Sequence, residues 1–221
     1  MNTLRVTSMS DAVKRDYRSE LRAAQAQETR RSIVSAATRL FVEDGYGSTT
    51  INAVAEAAGV SRKTVFNAVG GKLDLLKLAL DWSVAGDDEA VALSDRAAIR
   101  KLMDQPDARG VLTGLVALVV AISARVAHLY EALEASASMD PAARDLVAES
   151  QRRRLDDAHK VVRHLRDLDA LTTHITEQEA VDVVWLAMDP AIFDRLVRLR
   201  GWTPGRFEEW LADTLCRQLL G

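Results

Sequence analysis

Residues 49–72, TTINAVAEAAGVSRKTVFNAVGGK, decide how the rest of this 221-residue chain is interpreted. Apolar residues recur there at the i, i+3, i+4 and i+7 spacing of a helix that buries one face. That face comprises Ile51, Val54, Ala55 and Ala58. Gly59 can adopt the left-handed conformation that ends a helix, and Ser61 is placed to cap a second helix. The stretch therefore predicts a helix, a tight turn and another helix.

The second of these helices carries the residue types that read DNA. Val65 and Val69 lie four residues apart and point inward, so the polar residues between them face outward. Arginine can bond guanine bidentately, asparagine can do the same for adenine, and lysine offers a mobile charge to phosphate. Thr49 and Thr50 begin the first helix, where unpaired amides and the helix dipole favour a phosphate.

This arrangement resembles the TetR family of one-component transcriptional regulators. In that family an amphipathic helix ends in a Gly-aromatic pair, and TT, AGVS, T, an apolar-aromatic pair and a helix-opening Lys follow. The matching positions here are Gly45, Tyr46, Thr49, Thr50, Ile51, Val54, Ala55, Ala58 to Ser61, Thr64, Val65, Phe66, Val69 and Lys72. The specific resemblance covers about Thr29 to Leu80, and beyond Leu80 it is only general.

The resemblance implies an all-α protein with an N-terminal three-helix helix-turn-helix domain and a C-terminal helical bundle that binds a ligand and dimerises. The expected DNA-contacting residues are Thr49, Thr50, Ser61, Arg62, Lys63, Thr64, Phe66, Asn67 and Lys72. Two positions depart from the family, because Phe66 replaces a tyrosine and Ala68 replaces an aromatic residue or histidine. We therefore expect packing or thymine-methyl contact from these two, and more phosphate contacts from Thr50, Ser61, Lys63 and Lys72.

Charge is distributed unevenly along the chain. The net charge is −3, but residues 1–80 carry 12 Lys and Arg against 8 Asp and Glu, whereas the remainder carries 17 against 24. The basic part is therefore the part that contains the motif, as binding to a polyanion requires. The single cysteine, Cys216, excludes an internal disulfide and a Cys-cluster metal site. The sequence shows no signal peptide, and we expect a cytoplasmic protein.

The sequence divides into three parts. Residues 1–24 are expected to form a basic, flexible leader, residues 25–80 the DNA-binding domain, and residues 81–221 the effector-binding and dimerisation domain. The leader has two readings: it is either disordered or a mis-assigned start, or it is a basic arm that adds phosphate or minor-groove contacts.

The helices outside the motif follow from apolar spacing and from prolines. We expect a first helix from about Ala26 to Asp44 and another from Leu93 to Asp104. The segment 110–124 is uncharged over about fifteen residues, too short for a membrane span, and is expected to form a buried central helix. A long helix should begin at Pro141, with Arg152 to Arg154 on a solvated face.

The C-terminal part supplies the expected ligand pocket and dimer interface. The candidate pocket residues, inside the bundle and beside the central helix, are Met103, Val119, Ser123, His128, Tyr130, His159 and Trp185. A mostly apolar effector with one or two polar contacts would suit them. The candidate interface residues are Trp185, Phe193, Phe207, Trp210 and Leu211. For each of these aromatic residues, an ordinary core position is the alternative.

No pattern in the sequence supports catalysis, a metal or a cofactor. The four histidines, at 128, 159, 164 and 174, lack metal-ligand spacing, and Gly70-Gly71-Lys72 lacks the preceding strand of a phosphate loop. The sequence thus favours a homodimeric repressor that binds a palindromic double-stranded DNA operator and is released by a small effector. Two alternatives remain: a helical enzyme or ligand carrier without DNA binding, and a ligand-independent DNA-binding regulator.

Overall fold

The computed structural model describes residues 7–89, 96–138 and 140–221, and the burial of side chains from residue 20 onward. These residues fold into helices, with no strand beyond an isolated bridge between Leu171 and Leu220. The helices are α1 (Thr7–Glu43), α2 (Gly45–Ser48), α3 (Ile51–Ala57), α4 (Arg62–Ala68), α5 (Lys72–Ala85), α6 (Ala97–Met103), α7 (Ala108–Ala137), α8 (Pro141–Asp167), α9 (Glu177–Ala187), α10 (Pro190–Phe193), a π-helical segment (Asp194–Leu199) and α11 (Pro204–Leu219). The predicted all-α fold is confirmed.

One predicted helix start is wrong, and another falls outside the described residues. Helix α1 begins at Thr7 rather than near Ala26, so most of the predicted leader is helical. No apolar stripe marks these first turns in the sequence, so apolar spacing could not indicate that the helix extends through them. Helix α6 begins at Ala97, and the first residues of the helix predicted from Leu93 lie outside the described part of the chain.

The core is divided between two clusters that share α7. One cluster joins α1, α3, α4 and α5 around Phe41, Val54, Val65 and Leu76, and the C-terminal half of α7 packs against it. The other joins the N-terminal half of α7 to α8, α9, α10 and α11. Because α7 belongs to both clusters, it connects the N-terminal helices rigidly to the bundle.

Helix α7 is the central helix that the uncharged segment predicts. Among the described residues it is the one helix long and apolar enough to cross a membrane by length and composition, and half of its most apolar window is buried inside the structure. It contacts α5, α6, α8, α10 and α11. Its apolar residues are thus accounted for by packing against neighbouring helices.

The expected solvated face of α8 is corrected at one position. Arg152 and Arg153 are exposed, but Arg154 is only 8% exposed. A helix turns by about 100° per residue, so three consecutive residues cannot all face solvent when the helix packs on two sides. Here α8 lies between α7 and α9, and Arg154 falls on the inward face.

Three of the expected dimer-interface residues are core residues of the monomer. Phe193, Phe207 and Leu211 are 4%, 0% and 3% exposed, and Phe193 and Phe207 pack edge to face with ring centroids 5.3 Å apart. Trp210 remains 40% exposed and Trp185 is partly buried. Sequence reasoning could not separate core from interface here because both positions require apolar side chains.

Candidate nucleic-acid interface and internal cavity

The turn between α3 and α4 is built as the sequence predicts. Gly59 has φ +67°, the left-handed conformation, and the Val60 N–H then donates to the Ala55 carbonyl at 2.9 Å. Ser61 caps α4, since its hydroxyl oxygen accepts from the Thr64 N–H at 3.0 Å. Thr50 caps α3 in the same way, accepting from Ala53 N–H at 3.1 Å. These contacts fix the direction of α4 relative to α3.

Helix α4 presents one buried and one exposed side. Val65 is fully buried and anchors the helix in the core, whereas Arg62, Lys63, Phe66 and Asn67 are exposed. The Arg62 guanidinium lies 5.4 Å from the centre of the Phe66 ring, a cation–π distance. The outward row is therefore a positively charged surface with an aromatic residue within it, which suits contacts with base edges and phosphates.

The two threonines at the start of α3 differ in burial and in hydrogen bonding. Thr49 is 2% exposed, and its hydroxyl donates to the carbonyls of Leu40 and Gly45 at 3.1 and 2.8 Å. Its side chain ties the end of α1 to the start of α3, and its hydroxyl is engaged by these two carbonyls. Thr50 is exposed, with its hydroxyl serving as the cap. Adjacent residues at a helix start point in different directions, and TT alone does not show which one faces solvent.

Lys72 begins α5 and also contacts α2. Its Nζ donates to the Gly47 carbonyl at 3.2 Å and lies 4.3 Å from the centre of the Tyr46 ring. Burial lowers the pKa of Lys72. If Lys72 also contacts a phosphate, it must do so while it holds α2 against α5.

A cavity of about 1230 Å³ extends between the N-terminal helices and the bundle. Its walls come from α1, α5, α7 and α8, and it reaches Asn67 and Ala68 at the end of α4. Three of the predicted pocket residues, Val119, Ser123 and Tyr130, line it. They occur with Ile122 and Val126 on one face of α7, at helical spacing.

The other predicted pocket residues do not line this cavity. Met103 belongs to α6, and His128 and His159 lie off the faces that α7 and α8 turn toward it. Trp185 does not line it either, and its indole ring lies 5.3 Å from the Arg154 guanidinium. The sequence missed Trp82 and the other α5 residues, because a helix assigned to the DNA-binding domain was not considered as a pocket wall.

The wall formed by α7 and α8 contains two buried polar groups. Tyr130 is 5% exposed, and its hydroxyl makes no hydrogen bond of normal geometry to the described residues. Burial raises the pKa of Tyr130, opposed by the positive charge of Arg154 and by the nearby Ser150 hydroxyl. The phenol is therefore neutral near pH 7 and able to donate. Arg154 donates from Nη2 to Asp189 at 3.0 Å, and its Nε–H has no acceptor among the described residues.

The C-terminal end of α5 is held by side chains from two other helices. Arg125 of α7 donates to the carbonyls of Ser83 and Val84 at 2.7 and 3.2 Å. Asp88, just beyond α5, accepts from Arg31 of α1 at 2.6 Å. Movement of the cavity walls would thus be transmitted to the helix that leads into α4.

Comparison with known proteins supports the assignment of the N-terminal helices. Residues 33–79 match the model of the family described as bacterial regulatory proteins, tetR family. The HTH-type transcriptional regulator SrpR of Pseudomonas putida is 41% identical over 58 residues, which is 26% of this chain and 27% of SrpR. The match to this curated relative thus spans about a quarter of its length.

Solved structures extend the likeness in fold to most of the chain. A proposed transcriptional regulator from Saccharomonospora viridis, in complex with choline, has a TM-score of 0.68 at 21% identity, covering 88% of this chain and 99% of its own. SmeT, the repressor of the Stenotrophomonas maltophilia multidrug efflux pump SmeDEF, was solved with triclosan and has a TM-score of 0.67 at 18% identity, covering 87% and 92%. Residues 33–79 thus form a helix-turn-helix domain that matches the tetR family of bacterial regulatory proteins, and most of the chain shares its fold with these solved structures.

Proposed function

We propose that this protein is a cytoplasmic, homodimeric transcriptional repressor that binds a palindromic DNA operator and is released by a small, mostly apolar effector. The observation that carries the proposal is the exposed row Arg62, Lys63, Phe66 and Asn67 on a capped helix whose other side is anchored by Val65. A helix held in this way can enter a major groove without losing its core contacts.

The cavity supplies the regulatory part of the proposal. It is lined by α5 and reaches Asn67 at the end of α4, so its occupant would contact elements that orient α4. A ligand that prefers the conformer with misaligned reading helices lowers DNA affinity in proportion to that preference. Structural neighbours that bind choline and triclosan support an organic molecule as effector.

A dimer is required because one short helix reads too few base pairs, and a two-fold dimer reads a palindrome. Trp210 of α11 and Leu186 of α9 are 40% and 54% exposed, and the two helices contact each other. We propose that this surface pairs with the same surface of a second copy.

The dimer is tested by light scattering on the purified chain. We expect a dimeric mass for the wild type and a monomeric mass for the double variant Leu186→Glu, Trp210→Glu. Val42→Glu is the control, because Val42 of α1 is also 40% exposed. A wild-type monomer, or a loss of the dimer in both variants, would contradict the proposed interface.

DNA binding is tested by titrating the full-length protein into duplex DNA at several salt concentrations. We expect log K to fall linearly with log salt, since phosphate contacts release counterions. Arg62→Ala should reduce the affinity, whereas Arg200→Ala, an exposed arginine between the π-helical segment and α11, should leave it unchanged. Equal effects of the two substitutions would show that α4 does not carry the binding.

A further inference from the structure

Arg154 is a buried cation on the wall of the cavity. It is 8% exposed, whereas its neighbours Arg152 and Arg153 are exposed. Among the described charged residues that line the cavity it is the buried one. Burying a guanidinium is costly unless its donors are satisfied, so its position requires an explanation.

The protein satisfies Arg154 only in part. Nη2 donates to Asp189 at 3.0 Å, but the same carboxylate also accepts from the Ala191 N–H at 2.9 Å as the cap of α10. The Nε–H has no acceptor among the described residues. One ion-pair contact therefore positions the guanidinium and leaves the buried Nε–H without an acceptor among the described residues.

Two aromatic rings hold the guanidinium in place. The Tyr130 and Trp185 ring centres lie 5.8 and 5.3 Å from the Arg154 Cζ, and the Trp185 Nε1 donates to the Gln151 carbonyl at 3.3 Å. The Tyr130 hydroxyl is itself a buried donor without a partner of normal geometry. Two residues that line the cavity thus each carry a buried donor without a partner of normal geometry among the described residues.

Resting on the proposed function of this cavity as an effector site, we propose that it binds an apolar molecule carrying one anionic oxygen group, a carboxylate or phenolate, which accepts from Arg154 Nε and the Tyr130 hydroxyl. The remaining wall residues nearby, such as Val119, Ile122 and Met188, accept the apolar body.

The part of the wall around Arg154 disfavours a cationic ligand. A quaternary ammonium group needs the faces of aromatic rings, but the Tyr130 and Trp185 faces are already in contact with the Arg154 guanidinium. Several of the more exposed charged side chains that line the cavity are paired with one another: Lys77 donates to Asp81 at 2.8 Å, Lys160 donates to Asp157 at 2.7 Å, and Arg153 pairs with Glu149. The buried charge among the lining residues is therefore the positive charge of Arg154.

The test compares matched probes by calorimetry with the full-length protein at pH 7.5. Each probe carries the same naphthalene or ten-carbon alkyl body and ends in a carboxylate, an amide or a trimethylammonium group. At least one carboxylate should bind about tenfold or more tightly than its amide and its cation, as expected for a charge-assisted hydrogen bond. Absence of binding by every carboxylate, or equal or tighter binding of the amide or cation, overturns the proposal.

Substitutions test whether Arg154 and Tyr130 cause the preference for the carboxylate. Arg154→Gln should lower carboxylate affinity by about tenfold or more and leave amide affinity within about twofold. Arg153→Gln, an adjacent exposed arginine that also lines the cavity, should change both by less than about twofold. Equal losses in the two arginine variants overturn the assignment. Tyr130→Phe, which keeps the ring, should weaken the carboxylate alone, and it provides the test if Arg154→Gln does not fold.

The two proposals fail separately. Calorimetry needs no DNA, so Arg154-dependent carboxylate binding by a protein that binds no duplex would leave this inference standing and reject the regulatory function. DNA binding without carboxylate selectivity would leave the regulatory function standing and reject this inference.

Discussion

The Arg125 guanidinium of α7 donates from Nε to the main-chain carbonyl of Ser83 at 2.7 Å, near the C-terminus of α5. A second bond from Nη2 reaches the Val84 carbonyl at 3.2 Å. The last carbonyls of a helix lack intrahelical partners, and a cation there also complements the helix dipole. This contact joins the central helix to the helix that carries α4.

Arg125→Met should reduce the free energy of unfolding by about 1–2 kcal/mol, because two charge-assisted bonds to helix-terminal carbonyls are lost while the aliphatic part is kept. Urea denaturation measures this change. Arg217→Met is the control: Arg217 forms an exposed ion pair with Asp213 within α11, and its loss should cost less than about 0.5 kcal/mol. Equal losses would mean that Arg125 does not stabilise the α5 end.

Gly59 provides a test of the turn itself. Gly59→Ala should destabilise the protein by about 1–2 kcal/mol, because φ is +67° and a Cβ there is strained although no atom lies within 4 Å of it. Gly47→Ala is the control. Gly47 of α2 also has open space around the position of a Cβ but has no positive φ, so this substitution should leave the stability unchanged or raise it slightly. A similar loss in both variants would contradict the account of the turn.

Base and phosphate contacts should separate by substitution on α4 and α5. Arg62→Ala should weaken binding to the preferred sequence by about 1–3 kcal/mol and relax the base preference. Lys72→Ala should weaken all sequences nearly alike and lower the salt slope by about one. Because Lys72 also contacts Gly47 and Tyr46, its variant should be checked for folding by thermal denaturation. If the two variants change base preference equally, the assignment of Arg62 to a base contact and of Lys72 to a phosphate contact is wrong.

The segment after α5 should give the stability a dependence on acid pH. The Arg96 guanidinium, reinforced by the Glu89 N–H, lowers the pKa of Asp87 to about 2. A carboxylate with a depressed pKa in the folded state stabilises above its unfolded pKa of about 4, and that contribution is lost as the pH falls toward 2. Asp87→Asn should therefore reduce the urea midpoint at pH 5 more than at pH 2.5. An equal reduction at both pH values would exclude this contribution.

The local motif could be predicted from the sequence because its signals are short-range. The Gly59 turn and the cap at Ser61 depend on residues close together in the sequence, and both form as expected. The burial of Val65 follows in the same way from helical spacing.

Contacts between distant segments could not be predicted. Arg154 became a cavity residue only because α8 packs between α7 and α9, and α5 became a cavity wall because it contacts α7. Phe207 and Trp210 are both aromatic residues of α11, yet one is buried and the other exposed. Composition and spacing assign such residues to an apolar face, but only the tertiary arrangement shows whether that face meets its own chain or solvent.

The central claim is that the chain reads DNA as a dimer through α4. It is tested most directly by selecting bound sequences from random duplex DNA with the purified full-length protein. The account predicts enrichment of a palindrome with two related half-sites, and loss of that enrichment in Arg62→Ala. A folded protein that enriches no sequence, or a single asymmetric site unaffected by Arg62→Ala, would contradict it.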